Sequence, residues 1–281
     1  MYHELFELYL DCFPEYPVTE ELFYNLLKPE KAHIIQRHID SNLAAFSMIH
    51  GSSITLLCVA DKHRKQGIAT ELLMASEKHI HESGSRHIYL GRGKHYLLQG
   101  VPAIQEEALH FFMKHGYSST WTSKNMRLDL KNFSSSELNI PTSPKNIEYR
   151  FAKHEDTVSL FEAIQDTKSA WKNVFETCTD PIYLAVKDGK VIGFEVLSPT
   201  GGRFVGQGEK VGCIGCVGVV VSEREQGIGR QMVVNGIEWL KSQNCTSIEL
   251  RYVEIVNWYQ KIGFKPTNLQ WMGEKALRHP L

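Results

Sequence analysis

The sequence predicts an α/β (α+β) protein built from two similar domains. An apolar strand that leads through a turn into an amphipathic helix occurs twice, and Gly67 and Gly227, which mark the two turns, are 160 residues apart. The chain has 281 residues, which is enough for two domains of ordinary size. A repeat of so long a period indicates a duplicated domain and not the short unit of a solenoid.

The second copy carries the clearer chemical signal. Residues 216–221 form an apolar run typical of a buried strand, and Gly227 and Gly229 follow at the start of a helix with one apolar face. The first N–H groups of a helix lack intrahelical partners, and the helix dipole adds partial positive charge. Glycines let a ligand approach the backbone. This combination predicts a pocket for a phosphate or a pyrophosphate.

Two well-known phosphate loops do not fit this stretch. A Walker A loop requires Ser or Thr after Gly-Lys, and neither Gly93-Lys94 nor Gly189-Lys190 is followed by one. A dinucleotide-binding fingerprint requires a third glycine, and Met232 stands at that position. A P-loop NTPase and a Rossmann dehydrogenase are therefore disfavoured.

The pattern Arg224-x-x-Gly227-x-Gly229 resembles the Arg/Gln-x-x-Gly-x-Gly/Ala pyrophosphate loop of the GNAT acetyltransferases, which bind acetyl-CoA. The first copy repeats it at 64–69, with Ala69 as the permitted variant of the last glycine. The match between the copies runs without a gap through the helix and into the next strand. A strand-to-helix turn with helix-starting glycines is the alternative for one copy, and the second copy argues against it.

The two copies also end alike. Residues 112–117 and 259–264 resemble the Tyr-x-Lys-x-Gly-Phe ending of the last GNAT helix, whose glycine suits a helix C-cap. The resemblance to a tandem GNAT protein implies, in each domain, a mixed, mostly antiparallel sheet flanked by helices. We expect a first, degenerate GNAT-like domain at 1–130, a Ser-, Asn- and Pro-rich linker at 131–146, and a second GNAT domain at 147–281.

The resemblance implies acetyl-CoA as the co-substrate, with its pyrophosphate on the loop amides and its pantetheine arm along the preceding strand. In the second domain the implied cofactor-binding residues are Val219, Val221, Arg224, Gln226, Gly227, Ile228, Gly229 and Arg230. In the first domain they are Val59, Arg64, Gln66, Gly67, Ile68 and Ala69. Because the loops are of nearly equal quality, either domain is a candidate for CoA binding.

Tyr259 is the candidate catalytic residue, because it falls where GNAT enzymes often place a tyrosine near the CoA sulfur. A phenol of pKa about 10 is a plausible proton donor to a thiolate whose acid has a pKa near 8.5. An aromatic packing residue is the alternative. The equivalent Phe112 cannot donate, so catalysis is assigned to the second domain, with His95 or Tyr96 as substitutes in the first.

Two further features stay open. Glu195 and Glu254 are candidate general bases, although a solvated carboxylate is the simpler interpretation of each, and a water chain can replace them. Residues 91–106 form an insertion that the second copy lacks. It is either a lid or substrate wall at the acyl site, or a surface loop that packs on the domain interface.

Composition restricts the classes of function. The net charge of −1 argues against a nucleic-acid partner, and no apolar stretch approaches the ~20 residues of a membrane helix. The N-terminus lacks the layout of a signal peptide, so we expect a cytoplasmic protein. Cys213 and Cys216 have no second pair to complete a zinc site, and no metal is expected.

The leading hypothesis is an N-acetyltransferase that moves an acetyl group from acetyl-CoA to a primary amine of a small molecule or peptide. The alternative is a non-catalytic acetyl-CoA-binding sensor or interaction module. The acceptor is not encoded in a shared pattern, because fold does not fix function. Both a monomer and a homodimer are compatible with two domains in one chain.

Overall fold

The computed structural model describes residues 2–28, 30–92, 96–139 and 144–277. The chain forms two compact units. The first unit comprises Met1–Lys124, Arg203–Gly206 and Asn268–Leu281, and the second comprises Asn125–Gly202 and Gln207–Thr267.

The described residues of the first unit form the helices α1 (Tyr2–Cys12), α2 (Glu20–Leu26), α3 (Ile68–Glu82) and α4 (Glu106–Lys114). The strands are β1 (His33–Ile39), β2 (Asn42–His50), β3 (Ser53–Val59), β4 (His87–Leu90), β5 (Val101–Pro102) and β13 (Glu274–Ala276). Five of these strands form a mostly antiparallel sheet in the order β1-β2-β3-β4-β13, in which β3 and β4 are parallel neighbours.

The second unit repeats the arrangement, with its described strands in the order β6-β11-β10-β9-β8-β7 and β10 parallel to β11. Its strands are β6 (Thr122–Asp129), β7 (Ile147–Phe151), β8 (Ile182–Lys187), β9 (Lys190–Ser198), β10 (Val211–Val219) and β11 (Ser247–Leu250). Its helices are α5 (Thr157–Lys168), α6 (Lys172–Glu176), α7 (Ile228–Ser242) and α8 (Val256–Gln260). β6 and the remaining strand, β12 (Lys265–Trp271), contribute residues to both units.

The predicted fold class is confirmed, and so is the repeat. Strand, helix and strand recur as β3-α3-β4 and β10-α7-β11, and α3 and α7 have the same 15-residue length. A hairpin turn joins β8 and β9, with Asp188 and Gly189 at φ 50° and 76°. Asp-Gly is favoured there because both residues must adopt positive φ.

The compact units differ from the predicted bounds 1–130 and 147–281, and strand pairing is the reason. The second half of β6, Met126–Asp129, pairs with β11 inside the second unit, whereas β13 pairs with β4 inside the first. Each repeat therefore contributes a late strand to the other repeat's unit. A residue-by-residue pattern cannot reveal such an exchange, because it records which segments are strands and not which strands they pair with.

Both faces of the second unit's sheet are covered. On one face α7 and α8 pack on the sheet through a cluster that includes Ile237, Tyr259 and Ile248. On the other face α5 and α6 pack around Phe194. Since successive strand residues point to opposite faces, Phe194 and its neighbour Glu195 point to different layers.

Candidate functional site

The second phosphate loop is a tight turn that ends in a helix N-terminus. After β10 the chain makes a 3₁₀ turn at Val221–Glu223, and Glu225 and Gly227 adopt φ of 65° and 80°. The first intrahelical bond runs from the Gln231 amide to the Gly227 carbonyl at 3.0 Å. The amides of 228–230 therefore precede the hydrogen-bonded part of α7, and they form a cradle suited to an anion.

Two of the predicted cofactor-binding side chains brace this loop from within. The Arg224 Nε donates to the Val219 carbonyl at 2.9 Å, which ties the turn to the end of β10. The Gln226 amide donates to Glu223 at 3.2 Å, and Lys187 holds the same carboxylate at 2.9 Å. The structure gives Arg224 and Gln226 a role in holding the turn, and contact with CoA remains a prediction.

The other predicted residues of this loop differ in placement. Ile228 is buried beneath the helix, and the Arg230 guanidinium donates to the Asn139 carbonyl at 3.1 Å. The apolar run 216–221 is predicted to be strand throughout, but β10 ends at Val219. Val221 therefore lies in the turn, 57% exposed, with its amide donating to Asp166 at 2.8 Å. A Cβ at Gly229 would lie 3.3 Å from the Val219 side chain, which leaves the small space that Ala69 fills in the first copy.

The strand before the loop has an edge without a ladder partner among the described residues, and a bulge. The parallel pairing of β10 with β11 covers Val211–Cys213, although β10 continues to Val219. On its other side, β10 places two residues, Cys216 and Val217, opposite Glu195 of β9, and Cys216 has φ 49°. Such a bulge turns backbone groups away from the ladder. An extended ligand that adds to a strand edge would pair with β10 beyond Cys213.

Tyr259 lies on α8 and is buried, with the rings of Trp258 and Phe264 packed edge-on at 4.8 and 5.7 Å. Burial raises the pKa of its phenol, and Glu195 and Cys216 raise it further. The phenol is therefore neutral over the physiological range, and it lies within electrostatic reach of the β10 bulge. The structure brings the predicted catalytic residue to the strand that the loop terminates.

The two carboxylates that sequence reasoning left open behave differently. Glu254 is exposed and pairs with Lys168 at 2.9 Å, as a solvated carboxylate does. For Glu195 the solvated interpretation is wrong, because its side chain is fully buried between the sheet and α7. Burial raises the pKa of the Glu195 carboxyl to about 8. The sequence held one signal of this, since Gly236 interrupts the apolar face of α7 at the point that meets the carboxyl.

The first phosphate loop has the same geometry. Lys65 and Gly67 adopt φ of 60° and 87°, the Arg64 Nε donates to the Val59 carbonyl at 3.1 Å, and Gln66 donates to a loop carbonyl. Of the remaining predicted residues, Ile68 is buried and Ala69 is partly buried. At the level of the loop, the two copies are equivalent.

The cleft beyond the first loop is different, because the insertion fills it. Leu97 and Leu98 are buried in the same cluster as Leu56 of β3. The cavity left there is about 50 Å³ and is lined by Leu98 and Phe112 among others. Small-molecule sites usually measure roughly 300–1,000 Å³, so this space does not accommodate a pantetheine arm. Residues 97–102 of the insertion are buried and several of them form a wall of this cavity, whereas Ile104 is 67% exposed. A contact of this wall with a substrate stays a prediction.

Of the two substitutes proposed for the missing tyrosine of the first copy, Tyr96 has a different environment. The Arg203 guanidinium stacks on the Tyr96 ring at 4.2 Å and donates to its carbonyl, which explains the side chain as a packing partner. His95 lies outside the described residues. Phe112 occupies the position equivalent to Tyr259 and lines the small cavity.

The six cysteines differ in burial. All six are free thiols, Cys213 is buried, and Cys216 is partly buried in the bulge, where burial raises its pKa to about 12. Within the described ranges, no group of three or more His, Cys, Asp or Glu side chains is placed to hold a metal ion. No helix in the described part of the chain is both long and apolar enough to cross a bilayer.

Two models of the same family match the chain. The model for the acetyltransferase (GNAT) family matches residues 146–264, and that for the acetyltransferase (GNAT) domain matches residues 6–95. The chain belongs to the GNAT acetyltransferase family and carries two of its domains in tandem.

One curated protein is similar to part of the chain. The mycothiol acetyltransferase of Amycolatopsis mediterranei (strain U-32) is 37% identical over 107 residues, which are 35% of this chain and 33% of that protein. The match thus spans about a third of the length of that curated relative.

Solved structures agree on the fold. A GCN5-related glucosamine N-acetyltransferase region of a fungal multi-domain GH3 β-N-acetylglucosaminidase superposes with a TM-score of 0.81 at 21% identity, over 97% of this chain and 36% of that chain. A tandem GNAT protein from the clavulanic acid biosynthesis pathway gives a TM-score of 0.72 at 14% identity, over 98% of this chain and 94% of that chain. At these identities the likeness concerns the fold alone.

Proposed function

We propose that this protein is an N-acetyltransferase that moves the acetyl group of acetyl-CoA to a primary amine of a small molecule or peptide, in the second unit. The observation that carries the proposal is the convergence, in that unit, of an unpaired helix N-terminus, a free stretch of β10 and a buried neutral phenol. Membership of the GNAT family supports acetyl-CoA as the co-substrate.

In this proposal the pyrophosphate binds to the loop backbone. The amides of 226–230 donate to its oxygens, and the dipole of α7 adds favourable charge. Arg224 and Gln226 hold the loop in shape through their bonds to Val219 and Glu223. The pantetheine arm runs along β10 from Val219 towards the bulge, where its amides pair with strand backbone.

The acyl transfer then takes place at the bulge. The neutral amine nitrogen attacks the thioester carbonyl, a C–N bond forms, and the C–S bond breaks. Tyr259 donates its proton to the departing sulfur, which leaves as the thiol. The amine loses a proton to solvent, and solvent returns one to the Tyr259 phenolate. A positioned acid of this kind typically contributes about 10²–10⁴-fold to the rate.

The first unit is proposed to be a structural copy. Its loop is intact, but the cleft beyond the loop retains only about 50 Å³, and Phe112 has no proton to give. The division between the units follows from these two differences. We propose a cytoplasmic protein, active as a monomer or homodimer.

The test is release of free thiol from acetyl-CoA against a panel of primary amines, with the unmodified protein and with Tyr259→Phe. The proposal expects turnover on at least one amine class, and a large loss in the variant with little change in CoA affinity. Binding of acetyl-CoA without turnover on any amine would instead favour the acetyl-CoA sensor.

A further inference from the structure

Glu195 is an ionisable residue of the second unit to which the proposed chemistry gives no role. It lies on β9, its side chain is 0% exposed, and neither carboxyl oxygen has a hydrogen-bond partner in the described part of the chain. A buried carboxyl without a partner is unfavourable for folding. Residues that break a folding rule in this way are concentrated at functional sites.

The helix above it is shaped for this carboxyl. A Cβ on Gly236 of α7 would lie 2.5 Å from the Glu195 Oε1 and 2.9 Å from the Leu197 side chain. Glycine is itself unfavourable in a helix interior. The unpaired Glu195 carboxyl and the helical Gly236 are each unfavourable for folding, and they are in contact. The glycine leaves the space that the carboxyl occupies.

The first unit shows what the same position looks like without a carboxyl. Ala45 pairs with Val59 as Gly193 pairs with Val219, so Ser47 occupies the place of Glu195. Ser76, 160 residues before Gly236, donates from its hydroxyl to the Ser47 hydroxyl at 2.8 Å. A neutral, hydrogen-bonded pair thus fills the position in the unit that lacks the tyrosine.

The surroundings of Glu195 connect it to the acyl site. It stands opposite the Cys216–Val217 bulge of β10. The titratable groups that it influences are Tyr259 on α8 and Tyr183 on β8. On α7, Gly236 faces the Glu195 carboxyl, and the neighbouring neutral Asn235 donates to the Tyr183 hydroxyl at 3.3 Å.

We propose that Glu195 is a positioning residue for Tyr259, which as a neutral acid allows the phenol to release its proton and as a carboxylate opposes that release. The inference rests on the proposed function, since it concerns the same transfer. Glu195 then becomes a second titratable group of the acyl site, and it lies opposite the β10 bulge.

The physical reason is the charge that Tyr259 acquires. When the phenol protonates the departing sulfur it becomes transiently negative, and a negative carboxylate nearby in a poorly screened interior raises the energy of that state. Burial holds the Glu195 pKa near 8, so the carboxyl is neutral at physiological pH and ionises above it. Turnover should therefore fall as the pH rises through that range.

The experiment measures kcat against pH, from 6.5 to about 10, for the wild type, Glu195→Gln and the double variant Glu195→Ser/Gly236→Ser. The double variant installs the neutral pair of the first unit, and it serves if the glutamine does not fold. Glu155→Gln, which removes an exposed carboxylate of the same unit, is the matched control. We expect a decline of several-fold above pH 8 in the wild type and control, absent in both Glu195 variants, with KM for acetyl-CoA within about twofold.

Two results separate the possible failures. An alkaline decline that persists unchanged in Glu195→Gln would overturn the role of Glu195 and leave the transferase intact. Infrared difference spectra give a readout independent of activity, because a protonated buried carboxyl has its own C=O band. The second result is disappearance of the band with rising pH in a wild-type protein that turns over no amine. That combination would overturn the proposed function, and this inference with it.

Discussion

The two phosphate loops allow a matched experiment, because Gly227 and Gly67 have nearly the same geometry. Each is the N-cap of its helix, with φ of 80° and 87°, and a Cβ built on Gly67 meets nothing within 4 Å. The same replacement, glycine by leucine, can therefore be compared in both loops. It adds the strain of a side chain at positive φ, about 1–2 kcal/mol.

That strain predicts equal losses of stability and unequal losses of function. Each variant should lower the melting temperature of its unit by roughly 2–8 °C. At Gly227 the new side chain also points into the space proposed for the pyrophosphate. Loss of two charge-assisted hydrogen bonds, each about 1.5–3 kcal/mol, would weaken acetyl-CoA binding by about 100-fold or more.

Calorimetric titration with acetyl-CoA and a thermal scan of both variants measure these effects. Gly67→Leu should keep most of the CoA affinity and most of the turnover, because the cleft beyond its loop is filled. Unchanged affinity in a folded Gly227→Leu would refute the placement of the cofactor. A dead Gly67→Leu beside an active Gly227→Leu would show that the first unit is the catalyst.

Three further outcomes are expected. Tyr259→Phe should lower kcat about 10²–10⁴-fold while leaving CoA affinity nearly unchanged in titration. Asp156→Asn should destabilise the second unit by about 1–3 kcal/mol in urea unfolding, because it breaks the two bonds from Arg150 at 2.6 and 2.8 Å. Those bonds hold the Asp156 pKa down at about 2, so their contribution is present above about pH 4 and is lost as the pH falls towards 2. Glu195→Gln should flatten the pH dependence of stability. Between pH 4.5, the ordinary pKa of a glutamate, and about pH 8, the native carboxyl keeps its proton while the unfolded one loses it, so wild-type stability falls across that window by up to about 5 kcal/mol. Melting scans of both proteins at several pH values measure the difference.

Local patterns predicted the loops and the ends of the helices well. Gly67, Gly227 and Gly189 stand where the backbone requires positive φ, and a glycine at such a place is visible in one sequence. The helix endings at Gly116 and Gly263 follow the same rule, with φ of 85° and 107°. These features depend on a few neighbouring residues, so the sequence determines them directly.

Features that depend on distant segments were not predictable in the same way. The burial of Glu195 requires β9, the β10 bulge and α7 to meet, and these are far apart in the chain. The filling of the first cleft depends on Leu97 and Leu98 reaching the core beside β3. Segment 203–206 is held by Phe204, whose ring packs edge-on against Tyr16 at 5.0 Å. Hydrophobicity alone does not say which distant residue an apolar side chain will contact.

The two units agree in the scaffold and differ in the residues to which the proposed function gives a role. Both copies have the loop, because positive φ at Gly67 and Gly227 shapes the turn itself and has structural value without a ligand. The residues that differ are those the turn does not need. Phe112 stands where the second unit has the phenol, and Ser47 with Ser76 stands where it has the carboxyl and the facing glycine. In both places the first unit lacks the group to which we assign a proton-dependent role, and its cleft is filled. A phenol and an unpaired acid in the second unit, at a cost to its stability, are therefore best explained by the chemistry proposed for that unit.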